Sequence, residues 1–169
     1  EKNSESEWGY FLKEYLFLID SKYIKVIREL NVILCGSRKV DFGLIDSQGY
    51  LDLFEIKKPE TKILSSKTDR GNYYWSSELV KAITQIEKYL YNAEKKASSL
   101  NEDIKRETDI TVQVIRPKAF LIVGNSKQLN DSKKKEDFKI LRSSLKNIEI
   151  ILYDELLERI VNQKKKIFL

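Results

Sequence analysis

Apolar residues recur along this chain at two spacings, one helical and one strand-like. Trp8, Phe11, Leu12, Tyr15, Leu16 and Ile19 fall at helical intervals, and Ser4 with Glu7 has capping-box spacing. A helix is therefore expected from about Ser6 to Ile19, and Tyr23 to Glu29 reads as a second, short helix. Val32-Ile33-Leu34-Cys35 reads as a first strand, broken by Gly36-Ser37. Two apolar runs, Val40–Ile45 and Tyr50–Ile56, flank the polar turn Asp46-Ser47-Gln48-Gly49 and predict a β-hairpin. Pro59 ends its second strand, because proline cannot donate to a ladder. The polar stretch from Glu60 to Tyr74 predicts a long loop, closed by the aromatics Tyr73-Tyr74-Trp75. These either anchor the loop to the core or stack on bases.

Ser76 or Ser77 should cap the longest helix, running to about Ala97, with Leu79, Val80, Ile83, Ile86, Leu90 and Ala93 as its buried stripe. Ser98 to Thr108 is polar and reads as an exposed connection that could stay helical in part. Val112–Ile115 and Ala119–Val123 read as strands around Arg116-Pro117. Ser132–Leu145 reads as a helix, Ile148–Leu152 as a strand and Tyr153–Val161 as a last helix. The order is helix, three strands, helix, strand, helix, strand, helix. It predicts an α/β fold of the α+β mixed-sheet kind, a central mixed sheet flanked by helices, as one domain over residues 1–169.

Composition narrows the chemistry. The chain has no histidine and one cysteine, Cys35. That excludes Ser-His-Asp and Cys-His nucleophile systems, His-containing zinc sites, thiolate sites and internal disulfides. Any catalysis must run on carboxylates, lysine, tyrosine and a hard metal. The net charge of +5 permits a polyanionic partner without demanding one. The Lys133-Lys134-Lys135 run and the basic stretch Lys164–Lys166 read as solvated faces. No apolar run approaches the roughly 20 residues that cross a bilayer. With no methionine anywhere, the sequence reads as a piece of a longer protein.

The hairpin carries charge where a strand pair should be apolar. Glu55 and Lys57 lie one residue apart and so share a face, and Asp41 can lie opposite them. Two carboxylates about 4 Å apart repel by roughly 4 kcal/mol at an effective dielectric near 20, and a divalent cation offsets that better than one lysine. Mg²⁺ or Mn²⁺ takes oxygen ligands, here Asp41, Glu55 and the backbone carbonyl of Ile56. Lys57 can orient or help deprotonate a water, or place positive charge where negative charge develops in phosphodiester hydrolysis. The plain alternative is a Glu55–Lys57 salt bridge with no catalytic role.

Asp41, then Glu55-Ile56-Lys57 after a hairpin turn, then Gln85-x-x-x-Tyr89 on the next long helix, resembles the PD-(D/E)XK nuclease superfamily. The subtype resembles the Shedu anti-phage nuclease domain: the step Lys58-Pro59, the helix pattern from Glu78 to Tyr89, and the closing Tyr153-Asp154-Glu155-Leu156-Leu157. Val40 stands where the superfamily's name has proline. The resemblance implies a restriction-endonuclease-like core and metal ligation by Asp41 and Glu55. It implies catalysis by Lys57, and Gln85 and Tyr89 lining the site. A first-helix glutamate often joins the metal shell in such proteins; Glu7 is the first candidate and Glu14 the second, with plain helix capping as the other reading of Glu7. The resemblance further implies DNA as substrate, Mg²⁺ or Mn²⁺ as cofactor, a cytoplasmic bacterial setting away from membranes, a regulatory domain elsewhere in the same longer chain, and a homo-oligomer, a tetramer being one form. The competing readings are a non-cleaving nucleic-acid-binding or assembly module on the same fold, and a DNA repair or junction nuclease.

Overall fold

The computed structural model describes residues 20–32 and 39–167. The expected helix from Ser6 to Ile19, with Glu7 and Glu14, lies outside them, as do Cys35 and most of the run from Val32. The sheet has five strands in the order β1-β2-β3-β4-β5: β1 Tyr23–Leu30, β2 Val40–Asp46, β3 Leu51–Ile56, β4 Ala119–Ile122 and β5 Ile148–Ile151. The first three pair antiparallel, and β3, β4 and β5 run parallel. Helices α1 Ser77–Lys95, α2 Ala97–Thr108, α3 Ser132–Ser144 and α4 Tyr153–Ile167 complete an α/β fold.

Alternation along the central strands splits the core in two. Leu51 and Leu53 of β3 join Leu79 and Ile86 of α1, Leu100 of α2 and Phe138 of α3 on one face of the sheet. Phe42, Phe54 and Phe120 meet Leu156 and Ile160 of α4 on the other. On that second face Phe54 lies 6.0 Å from Phe42 and 6.2 Å from Phe120 between ring centroids, spacings at which aromatic pairs add to simple area burial.

The hairpin forms where the apolar runs placed it. Asp46 accepts the N–H groups of Gln48 and Tyr50 through Oδ1, both at 2.9 Å, and Gly49 supplies the positive φ of 86° that the turn needs. Ser76 caps α1 by accepting from Leu79 N–H at 3.0 Å. Residues 60–74 form the long loop. Its aromatics divide: Tyr73 and Trp75 pack on the core, with Trp75 edge-on to Phe138, whereas Tyr74 is exposed. The buried Asp137 carboxylate accepts from Tyr73 N–H (2.8 Å) and Lys133 Nζ (2.9 Å), which pins the loop to α3.

Several expectations are corrected. Tyr23 to Glu29 is strand, not helix, so the first strand precedes Val32. Buried Tyr23, Ile27 and Leu30 mimic helical spacing because the strand is irregular. A register shift separates Tyr23 from Lys25, leaving Ile24 exposed, and Glu29 adopts φ +51°. Residues 97–108 form α2 throughout, with Leu100 and Ile104 buried one turn apart and Asp109 closing the helix in the left-handed region. Val112 to Ile115 alternates in burial but makes only one bridge, Tyr50 to Gln113, rather than a strand. The last helix also runs on past Val161 to Ile167.

Candidate active site

The site is built by the hairpin's register. Phe42 pairs with Phe54 and Gly43 with Leu53, so one further step sets Asp41 opposite Glu55. There the ladder passes from backbone to side chains. Ile56 N–H donates to Asp41 Oδ2 at 2.7 Å, and Asp41 N–H donates to Glu55 Oε2 at 3.3 Å. Each carboxylate thus satisfies a backbone donor of the facing strand. Lys57 Nζ donates to Glu55 Oε1 at 2.8 Å, which completes the trio. Lys57 is held through both of its backbone polar groups: its N–H donates to Ile122 carbonyl at 2.8 Å, and its carbonyl accepts from Tyr153 Oη at 2.7 Å.

Glu55 continues the row of Leu51 and Leu53, so it faces the side of the sheet that α1 covers. It is buried, at 4% exposure. Burial, and then the neighbouring Asp41 charge, push its carboxyl up from 4.5 to about 7, against the opposing pull of Lys57. At neutral pH Glu55 therefore sits near half ionisation, a state that a nearby cation would shift toward the carboxylate.

The donor set suits a hard divalent ion. It offers carboxylate oxygens of Asp41 and Glu55. In a strand the N–H and C=O of one residue point the same way, so the Ile56 carbonyl faces β2 as its N–H does. Among the described residues no group of three or more metal-ligating Asp, Glu, His or Cys side chains occurs. Two carboxylates and a carbonyl, one oxygen each, would leave half of an octahedral sphere to water and substrate, in keeping with the habit of Mg²⁺ of retaining several waters.

Gln85 and Tyr89 lie on α1, which covers the face that Glu55 projects from. The Gln85 amide donates to Tyr89 Oη at 2.7 Å, and the Tyr89 ring is buried in the core. Among the described residues, their side-chain hydrogen bond runs to each other rather than to Asp41, Glu55 or Lys57. Glu7 lies outside the described residues.

Spacing rules passed over two contributors. Gly124 follows β4 at φ +64°, and a Cβ there would sit 2.5 Å from Ile63 Cγ1, so only glycine fits. Its carbonyl accepts from Tyr153 N–H at 3.1 Å. Tyr153 itself reaches across 96 positions of sequence to Lys57, a contact that no local pattern could show.

Fold and site together define an α/β domain that ends a central hairpin in two facing carboxylates and a lysine. The family model described as "Shedu protein SduA, C-terminal" matches residues 2–157. The Shedu protein SduA of Bacillus cereus (strain B4264) is 31% identical over 114 residues, which cover 64% of this chain and 29% of that protein. The chain belongs to the Shedu family. It matches less than a third of the length of that curated relative. Among the described residues no helix is long and apolar enough to cross a membrane.

Proposed function

We propose that the chain is a metal-dependent DNA endonuclease domain of an anti-phage defence protein, on a restriction-endonuclease-like core of the PD-(D/E)XK type. Family membership supports the defence role. The observation that carries the chemistry is the reciprocal pairing of Asp41 and Glu55 across the hairpin, with Lys57 2.8 Å from Glu55. A salt bridge made for stability alone does not need a second carboxylate opposite it: the Asp41 charge raises the energy of ionised Glu55, and the Asp41 N–H offsets only part of that.

Asp41, Glu55 and the Ile56 carbonyl are the groups that would hold Mg²⁺ or Mn²⁺. Such an ion supplies Lewis-acid polarisation of a phosphoryl oxygen and of water. Lys57 keeps its ammonium beside the carboxylates, where it orients the attacking water and balances charge developing on the phosphorane-like transition state. The backbone bonds of Lys57 to Ile122 and Tyr153 fix the origin of that side chain. In this reading Gln85, half-buried on α1, steadies substrate, and its amide donates to Tyr89.

DNA is the proposed substrate. Lys127, Lys135 and Lys139 rim a groove of about 630 Å³ beyond the C-terminal ends of β4 and β5. Open α/β sheets bind ligands outside the carboxyl ends of their strands, and three lysines there suit a phosphate backbone. Assembly as a homo-oligomer and regulation by another part of the chain complete the proposal.

The test is Mn²⁺ binding followed by electron paramagnetic resonance. One site is expected in the wild type, and Asp41→Asn should weaken it at least tenfold with the protein still folded. Wild-type affinity in Asp41→Asn would overturn the ligand assignment. DNA binding with no Mg²⁺- or Mn²⁺-dependent cleavage would favour a silent binding module instead.

A further inference from the structure

The segment Tyr153-Asp154-Glu155-Leu156-Leu157 opens α4, and its polar residues all turn back to the ends of the parallel strands. Tyr153 Oη donates to the Lys57 carbonyl beyond β3 at 2.7 Å, and Tyr153 N–H donates to the Gly124 carbonyl beyond β4 at 3.1 Å. The Asp154 carboxylate accepts from the N–H of Ser126 at 3.0 Å and from its hydroxyl. Glu155 accepts from Leu152 N–H at the end of β5 at 3.2 Å and pairs with Arg142 of α3 at 2.7 Å. One helical turn therefore ties together the C-terminal ends of three parallel strands.

Of these bonds, only the one from the Tyr153 hydroxyl lands on a site residue. Tyr153 is buried, at 3% exposure, and its ring packs in the core of the second sheet face. That fixes the hydroxyl at the backbone from which the Lys57 side chain springs. Lys57 is the first residue past β3, where regular pairing ends; its N–H is held by Ile122 and its carbonyl by Tyr153. Without the phenol, the carbonyl of Lys57 could rotate and carry Nζ away from Glu55.

We infer that Tyr153 is a positioning residue for Lys57, acting through the Lys57 carbonyl to hold the ammonium against Glu55. Its kinetic consequence rests on the nuclease reading; its structural consequence does not.

The experiment compares Tyr153→Phe with Tyr23→Phe. The second is a matched control: it also deletes one buried phenol oxygen, whose 2.7 Å bond runs to Asp52 on the opposite side of the sheet from Glu55. The protein is labelled with [ε-¹³C]lysine, and the Lys57 resonance is assigned by its loss in Lys57→Arg. In Tyr153→Phe the Lys57 resonance should move, and kcat for Mg²⁺-dependent DNA cleavage should fall roughly tenfold, the kinetic equivalent of one hydrogen bond, with KM for DNA unchanged. Tyr23→Phe should leave resonance, kcat and KM where they are. An unmoved Lys57 resonance in Tyr153→Phe, or an equal fall in kcat in Tyr23→Phe, overturns the assignment. If the wild type cuts no DNA, the nuclease reading falls and the resonance alone decides the role of Tyr153.

Discussion

Replacing Glu55 with glutamine should make the metal-free protein more stable at neutral pH, although it removes an ion pair. The folded protein raises the Glu55 carboxyl from 4.5 to about 7. Between those values the folded state holds a proton that the unfolded chain has released, so stability falls as pH rises. The penalty is absent below about pH 4.5 and complete above about pH 7. At about 1.4 kcal/mol for each tenfold change in proton affinity, it amounts to about 3 kcal/mol. The attraction of Lys57 opposes the rise and is already contained in it. Glutamine resembles the protonated acid, keeps an oxygen for Asp41 N–H and never ionises. Thermal melts in EDTA, followed by circular dichroism from pH 4.5 to 8.5, read the difference between variant and wild type. The two proteins should melt together at the acid end. By pH 8 Glu55→Gln should lead by roughly 6–12 °C, at about 2–4 °C per kcal/mol for a chain of this size. Added Mg²⁺ should then stabilise the wild type and leave the variant unmoved. A wild-type-minus-variant difference that is flat with pH, or a less stable variant at pH 8, would refute the account of Glu55.

The other predictions concern chemistry, backbone and groove. Lys57→Ala should lower kcat for DNA cleavage by roughly 10²- to 10⁴-fold with DNA affinity little changed, as single-turnover and binding assays can separate. Gly124→Ala should cost about 2–4 kcal/mol in urea unfolding, because alanine meets both the positive φ and the Ile63 side chain. The paired change Lys135→Glu and Lys139→Glu should weaken DNA binding and reduce the slope of log affinity against log salt by roughly 0.9 for each phosphate that is no longer neutralised, while Mn²⁺ affinity holds. Leu100→Ala should destabilise by about 2–5 kcal/mol, since α2 is held by the buried faces of Leu100 and Ile104.

The hairpin was legible because its signals are local: alternating apolar runs, a Gly49 turn and a proline stop. So was the Ser76 cap, and with them the facing of Asp41 and Glu55, which follows from register alone. Strand β1 was not legible, because a shift after Tyr23 and the left-handed Glu29 give its buried residues the spacing of a helix. Helix α2 was hidden by its polar composition; only Leu100 and Ile104 mark its buried side. Gln85 and Tyr89 were placed on one helix face by spacing, but spacing cannot say that the amide turns to the phenol. Burial of Glu55 was beyond reach too. Its position at a strand end reads as exposed, and strand spacing carries no sign of what covers it. Tyr153 lies in the closing Tyr-Asp-x-Leu-Leu pattern, but the partner of its hydroxyl lies 96 positions away.

Asp41, Glu55 and Lys57 are proposed to form a metal-dependent phosphodiesterase centre. Incubation of supercoiled plasmid with the wild type and with folded Lys57→Ala, each with Mg²⁺ and with EDTA, tests it most directly. Nicked or linear DNA should appear only with the wild type and Mg²⁺. Equal cleavage by Lys57→Ala, or cleavage undiminished in EDTA, would contradict it.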